Sequence, residues 1–284
     1  MLFRSDLPNA VGLNSANFNT GRLIGPGLSG ILISLYGTGV SFLLNGISYF
    51  VVILALISIR ESELHIENHS RTSTKIREAV KYVKARPDIL AVMITVFFAT
   101  SFGLNFNIFN TMMATDIFKK SAAEYGALGS ILAIGSLSGA VISARLERKR
   151  GPRFVMLGAM LFSSLLIAAS FAPSYLIYSI FLPFIGCAAL MTFIGANTMV
   201  QMRTDSVIRG RVMGIYLTVF LGGTPIVSPL IGWMTELIGT RTTITICGSI
   251  SLLAAAITYS QFHDRSAAPE SFAVVDVLET AYEN

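Results

Sequence analysis

The chain has 284 residues, 53% of them hydrophobic and only 13% charged, about half the charged share of an ordinary soluble domain; its mean hydropathy is +0.66. A net charge of +5 would suit nucleic acid only if the basic residues formed one face, and here they fall between apolar runs. Cys187 and Cys247 both sit inside apolar runs, so they frame no disulfide scaffold, and three histidines are too few for a metal protein. The composition is that of an integral membrane protein. Met1 is followed almost at once by Arg4, Ser5 and Asp6, which does not read as a secretory signal.

A hydrocarbon core about 30 Å thick takes roughly 20 mostly apolar residues per helix. Eight such runs are present, at 11–36, 40–59, 89–109, 126–146, 154–172, 176–200, 212–234 and 242–262. They are long and continuous instead of alternating, which predicts helices and not barrel strands. The expected fold class is an all-α membrane protein, a polytopic helix bundle.

The first run carries "NTGRLIGPGLSG" at 19–30. Helices in lipid associate through close backbone contact at small residues, and Gly21, Gly25 and Ser29 recur at i, i+4 and i+8 as one smooth stripe. Pro26 bends the helix, and Gly30 relieves crowding past the bend. The stripe reads either as a seam on which two halves of a bundle rock or as plain tight packing. Arg22 lies sixteen residues beyond Asp6, about 24 Å along a helix, too deep to snorkel. A charge there needs a wet pathway or a partner, and no acid in the eight runs is deep enough; Asp116 and Glu236 are near the outer ends. Arg22, with Asn14 and Asn17 near the same face, is therefore a candidate for lining a substrate pathway, with structural pairing as the alternative.

"LYGTGV" joins the first two runs as a tight turn. The hydrophilic stretch after the second run, "RESELHIENHSRTSTKIREAVKYVKARPD", sets Ile76, Val80 and Val83 at i, i+4 and i+7 among basic residues. That pattern suits a helix lying on the membrane face or a solvated linker helix. His65 and His69 sit four apart among acids, but a loop without cysteine is a poor metal site.

In the third run, Asn105, Asn107 and Asn110 are further pathway candidates, while Phe97, Phe98, Phe102, Phe106 and Phe109 read as lipid-facing or core residues. The fourth run offers a small-residue stripe of its own, Gly135, Gly139 and Ser143. "FAPSYL" is a tight connection between the fifth and sixth runs. In the sixth, Asn197 and Gln201 stand one turn apart and need hydrogen-bond partners, as pathway residues or as glue between helices. The seventh run contains "GGTPIVSPLIGW", with Pro225 and Pro229.

Lysine and arginine set the sidedness. The side holding the N-terminus carries Arg4, the basic residues from Arg60 to Arg86, the cluster Arg145, Arg148, Lys149, Arg150 and Arg153, then Arg203, Arg209, Arg211 and Arg265. Seventeen cations fall there, against Lys119, Lys120 and Arg241 on the other side. Both termini are expected in the cytoplasm. Moving the first pair of runs by 203 residues lays it on the last pair, Pro26 on Pro229 and Ser48 on Ser251, a faint internal repeat of the kind transporters carry. With one half taking about 200 residues by that shift, the chain reads as short at its N-terminus.

These residues carry a resemblance. The chain resembles the major facilitator superfamily, in a bacterial exporter branch with enterobactin-exporter and macrolide-efflux-like members, from about Asp6 to Phe262. The most specific piece is similar to that superfamily's fifth-helix antiporter signature, here Gly12, Gly21, Gly25, Pro26, Ser29 and Gly30, with Ser29 standing for the usual glycine. Leu7 to Ala10, Leu13 to Ala16, Asn19 and Arg22 match the branch pattern, as do "KIREAVKYVKARPDIL" and "NTMVQMRTDSVIRGRVMG" with its Arg209-Gly210-Arg211 turn. The resemblance implies helices five to twelve of a twelve-helix fold: the last two helices of the N-terminal half in 1–59, a cytoplasmic linker in 60–88, a complete six-helix half in 89–262 and a tail in 263–284. It implies that the Gly21 stripe rocks against the Gly135 stripe. "GAVISARLERKRG" at 139–151 is similar to the superfamily's cytoplasmic loop motif but lacks its aspartate.

The function implied is export of a small amphipathic molecule across a bacterial inner membrane by alternating access, with the lipid bilayer as surroundings and no cofactor. Protons as the coupling ion would require a buried acid, and these runs contain none, so the acid would lie elsewhere. The rival expectation is a truncated, non-transporting fragment. An enzyme finds no support: no metal cluster, Ser/Lys dyad or nucleotide loop occurs in or beside the runs.

Overall fold

A computed structural model describes residues 7–58, 76–145, 151–205 and 207–265, without the side chains of 7–27, 30, 34, 144 and 262–265. The side chains of Gly12, Asn14, Asn17, Gly21, Arg22, Gly25, Pro26 and Gly30 therefore lie outside the described residues, as do Arg148, Lys149, Arg150, His65 and His69 altogether.

Helix α1 (Leu7–Ile57) covers the first two expected runs and is interrupted at Gly37, whose φ of 78° favours glycine. The expected turn is thus one non-helical residue. Next come α2 (Ile76–Ala85), α3 (Pro87–Phe98), α4 (Phe106–Met112), α5 (Ala122–Arg145) and α6 (Pro152–Ser170). The chain ends in α7 (Tyr175–Arg203), α8 (Arg209–Gly222), α9 (Thr224–Ile238) and α10 (Thr240–Arg265). Local chemistry sets these starts. Pro87 and Pro152 open α3 and α6, where a missing N–H costs nothing, and the Ser174 hydroxyl accepts the amide of Ile177 at 3.3 Å to cap α7.

Seven candidate spans occur among the described residues, including Leu35–Ile57, Pro87–Ile117 and Arg209–Ile238. The third and seventh runs each become a pair of helices in one span. Short connections make successive spans antiparallel. α5 packs most closely on α7, α6 on α7 and α10, and α10 on α3, while α1 runs along α5. No strand occurs among the described residues.

Small residues decide these contacts. A Cβ at Gly135 or Gly139 would run into the backbone of Pro183 or Cys187 on α7, and one at Gly186 into Leu132 and Ser136 on α5. The Gly135–Gly139 stripe therefore packs on α7, while α1 also runs along α5. Hydroxyl pairs add to the seams: Ser163 with Ser251 at 2.7 Å, Ser170 with Thr245 at 2.8 Å and Thr95 with Thr258 at 2.8 Å.

Helix α2 is docked on the end of the bundle through Ala79, Tyr82 and Val83, which are buried in a cluster with Val92, Val96, Val212 and Tyr216, while Ile76 and Val80 of the expected apolar face stay exposed.

Candidate functional site

Two spans break near their middles, and the breaks meet. α3 gives way to a π-helical turn at Ala99–Gly103, and Leu104 and Asn105 leave helical geometry before α4 begins. Gly103 is needed there because a Cβ would strike the Phe162 ring. Such a break frees backbone groups that lipid cannot satisfy. The Asn105 side-chain amide takes one of them, donating to the Ser101 carbonyl at 2.7 Å.

The facing span breaks between α8 and α9, at Gly222, Gly223 and Thr224, where Pro225 starts the new helix. Gly223 has the Ser101 hydroxyl where its Cβ would be. One turn further on, Ser228 donates to the other end of the Asn105 amide at 2.7 Å. Asn105 thus ties its own broken span and the opposite one together. Five residues further along, Asn110 is buried and accepts the Tyr178 hydroxyl of α7 at 2.8 Å. The Ser101 hydroxyl, fully buried, has no hydrogen-bond partner among the described residues, an uncommon state for a buried polar group. The arrangement is a neutral polar knot in an apolar bundle, suited to hydrogen-bonding.

A second cluster closes the α2 end. Arg86 donates through Nε and Nη2 to the two oxygens of Asp88, both at 3.0 Å, and Arg203 from the end of α7 adds a contact at 3.1 Å. A two-pronged guanidinium–carboxylate pair is the strong form of this bond. Tyr82 bridges the rest: its hydroxyl receives Arg86 at 3.3 Å and the Asp205 amide at 3.4 Å. Arg209 donates to the Thr204 carbonyl at 3.2 Å, holding the turn between α7 and α8. Linker helix, α3 and α7–α8 turn are bound into one unit.

A family model described as transmembrane secretion effector matches residues 1–275. The chain belongs to this branch of the major facilitator superfamily. It is 23% identical over 230 residues to the enterobactin exporter EntS of Shigella flexneri, covering 81% of this chain and 54% of that protein. It is 20% identical over 251 residues to the staphyloferrin A transporter of Staphylococcus aureus (strain NCTC 8325 / PS 47), covering 88% of this chain and 63% of that one. The chain thus spans little more than half the length of these relatives.

In this major facilitator chain the sequence candidates whose side chains are described fall in different places. Asn105 ties the polar knot, Asn110 bonds to Tyr178 on α7, and Asn107 is exposed. Gln201 donates through Nε2 to Asn197 Oδ1 at 2.8 Å within α7, which meets part of their hydrogen-bonding capacity. Arg145 and Arg209 are exposed, Arg211 is half-buried, and Pro225 and Pro229 are exposed on α9. Phe106 and Phe109 enter the core, while Phe97 and Phe98 line an apolar groove beside α2. Sequence reading passed over Ser101, Ser228, Tyr178, Tyr82, Asp88 and Arg203. Serines beside a Gly-Gly-Thr-Pro break were the available signal for the knot, and an acid directly after Arg86-Pro87 was the signal for the ion cluster.

Proposed function

We propose that this chain is part of a secondary active transporter that exports a small amphipathic molecule, of drug or siderophore type, by alternating access in a bacterial inner membrane. The observation that carries this reading is the meeting of two broken spans at Asn105. Irregular backbone at membrane depth is tolerated only inside protein or beside a cavity, and transporters build binding sites at such breaks. The names of the two relatives, an exporter of enterobactin and a transporter of staphyloferrin A, support a siderophore-type cargo.

In this reading both termini are cytoplasmic, residues 89–262 form one rocking half after a linker at 60–88, and the α1 stripe of Gly21, Gly25 and Ser29 is part of the seam. Arg22, Asn14 and Asn17 line the pathway together with the polar knot. No covalent step is needed, so no catalytic residue is assigned. A proton couple would use an acid outside these spans.

One fact favours a second reading, a portion of such a transporter that does not transport alone: the match covers 54% of EntS. An efflux assay in cells lacking their own siderophore exporters separates the two. Export by the chain that falls at least tenfold in Asn105→Leu and in Arg22→Ala supports the first reading. Export indifferent to both substitutions removes the proposed pathway. Export regained only when a longer relative's N-terminal half is co-expressed supports the second.

A further inference from the structure

We infer that the groove between α2, α3 and α8 binds an anionic phospholipid, one acyl chain in the groove and the phosphate at Lys81 and Lys84. The groove has a volume of about 340 Å³ and is lined by side chains such as Val80, Val83, Leu90, Met93, Phe97 and Val219, with Lys84 its one charged lining residue. Its walls offer almost nothing to water, and hydrocarbon is the medium around a chain of this kind.

The charge on the page selects the headgroup. Lys84 stands at the groove, and Arg77 and Lys81 precede it at i−7 and i−3 on the same ten-residue helix, all three exposed. Glu78 is the acid of α2, and one of its carboxylate oxygens is buried. Among the described residues no carboxylate forms an ion pair with Lys81 or Lys84. A docked amphipathic helix that offers a cationic stripe beside an apolar slot matches both ends of an anionic lipid. Arg86, by contrast, is held by Asp88 and is not available to a phosphate.

The test is lipid retention. The purified protein is incubated in detergent with equimolar phosphatidylglycerol and phosphatidylcholine, and bound lipid is counted by native mass spectrometry. Phosphatidylglycerol should be retained in preference. Each of Lys81→Gln and Lys84→Gln should weaken the preference roughly fivefold, and both change only exposed side chains, so the fold is kept. Arg145→Gln, an exposed cation on another helix, should leave it unchanged. Equal retention of both lipids, a preference that survives the double lysine variant, or an equal loss in Arg145→Gln would each overturn the assignment.

Discussion

Leu35–Ile57 and Pro87–Ile117 are both apolar enough to cross a membrane, yet none of the first segment is buried and most of the second is. The difference lies in what surrounds the small residues. Gly39 and Gly46 in α1 have nothing within 4 Å of where a Cβ would be, whereas Gly103 abuts Phe162 and Gly135 abuts the α7 backbone. Apolar character puts a helix into lipid; it does not choose a neighbour. Neighbours are chosen where a smooth patch on one helix meets a ridge on another.

The contrast is open to direct attack. The largest effect is expected for Gly135→Leu, which forces a side chain into the Pro183 backbone and should cost about 3 kcal/mol, at the upper end of overpacking penalties. Gly46→Leu should change stability by less than about 0.5 kcal/mol. Unfolding in mixed micelles measures both, and equal losses would erase the distinction between the two regions.

Asp88→Ala should cost about 2 kcal/mol. That is less than breaking a fully buried pair, because the Arg203 side chain is 43% exposed. Hydrogen exchange at 203–205 should rise with it, since the turn loses its anchor. A neutral result would reduce the cluster to surface decoration. The smallest effect is expected for Ser163→Ala, about 0.6 kcal/mol for one hydroxyl pair between spans. A loss several times larger would mean that the pair with Ser251 organises the α6–α10 seam instead of merely filling it.

Much of the fold was legible in the chain. The expected run at 154–172 lies within two residues of α6, and the run at 176–200 sits inside α7. Helical class and the prolines that start helices are properties of short windows. The candidate site was legible only in part. Asn105 and Asn110 stood out as amides in an apolar run, but Ser101 and Ser228 look like ordinary small residues until the two breaks face each other. Asn197 and Gln201 stood out equally, and one hydrogen bond joins them within α7. The Gly135 stripe announced a close contact without naming the partner, and α2 announced an apolar face without saying whether lipid, water or protein would cover it.

Sequence alone determined that this chain is a set of apolar helices in a bilayer, because the cost of exposing peptide groups to lipid is settled residue by residue along each run. Only the tertiary structure decided that α5 presses on α7, that α2 is docked beside α3 and α8, and that two spans break opposite one another at Asn105. Those outcomes depend on shape and hydrogen bonding between segments 123 residues apart and more, a distance over which no local pattern carries information.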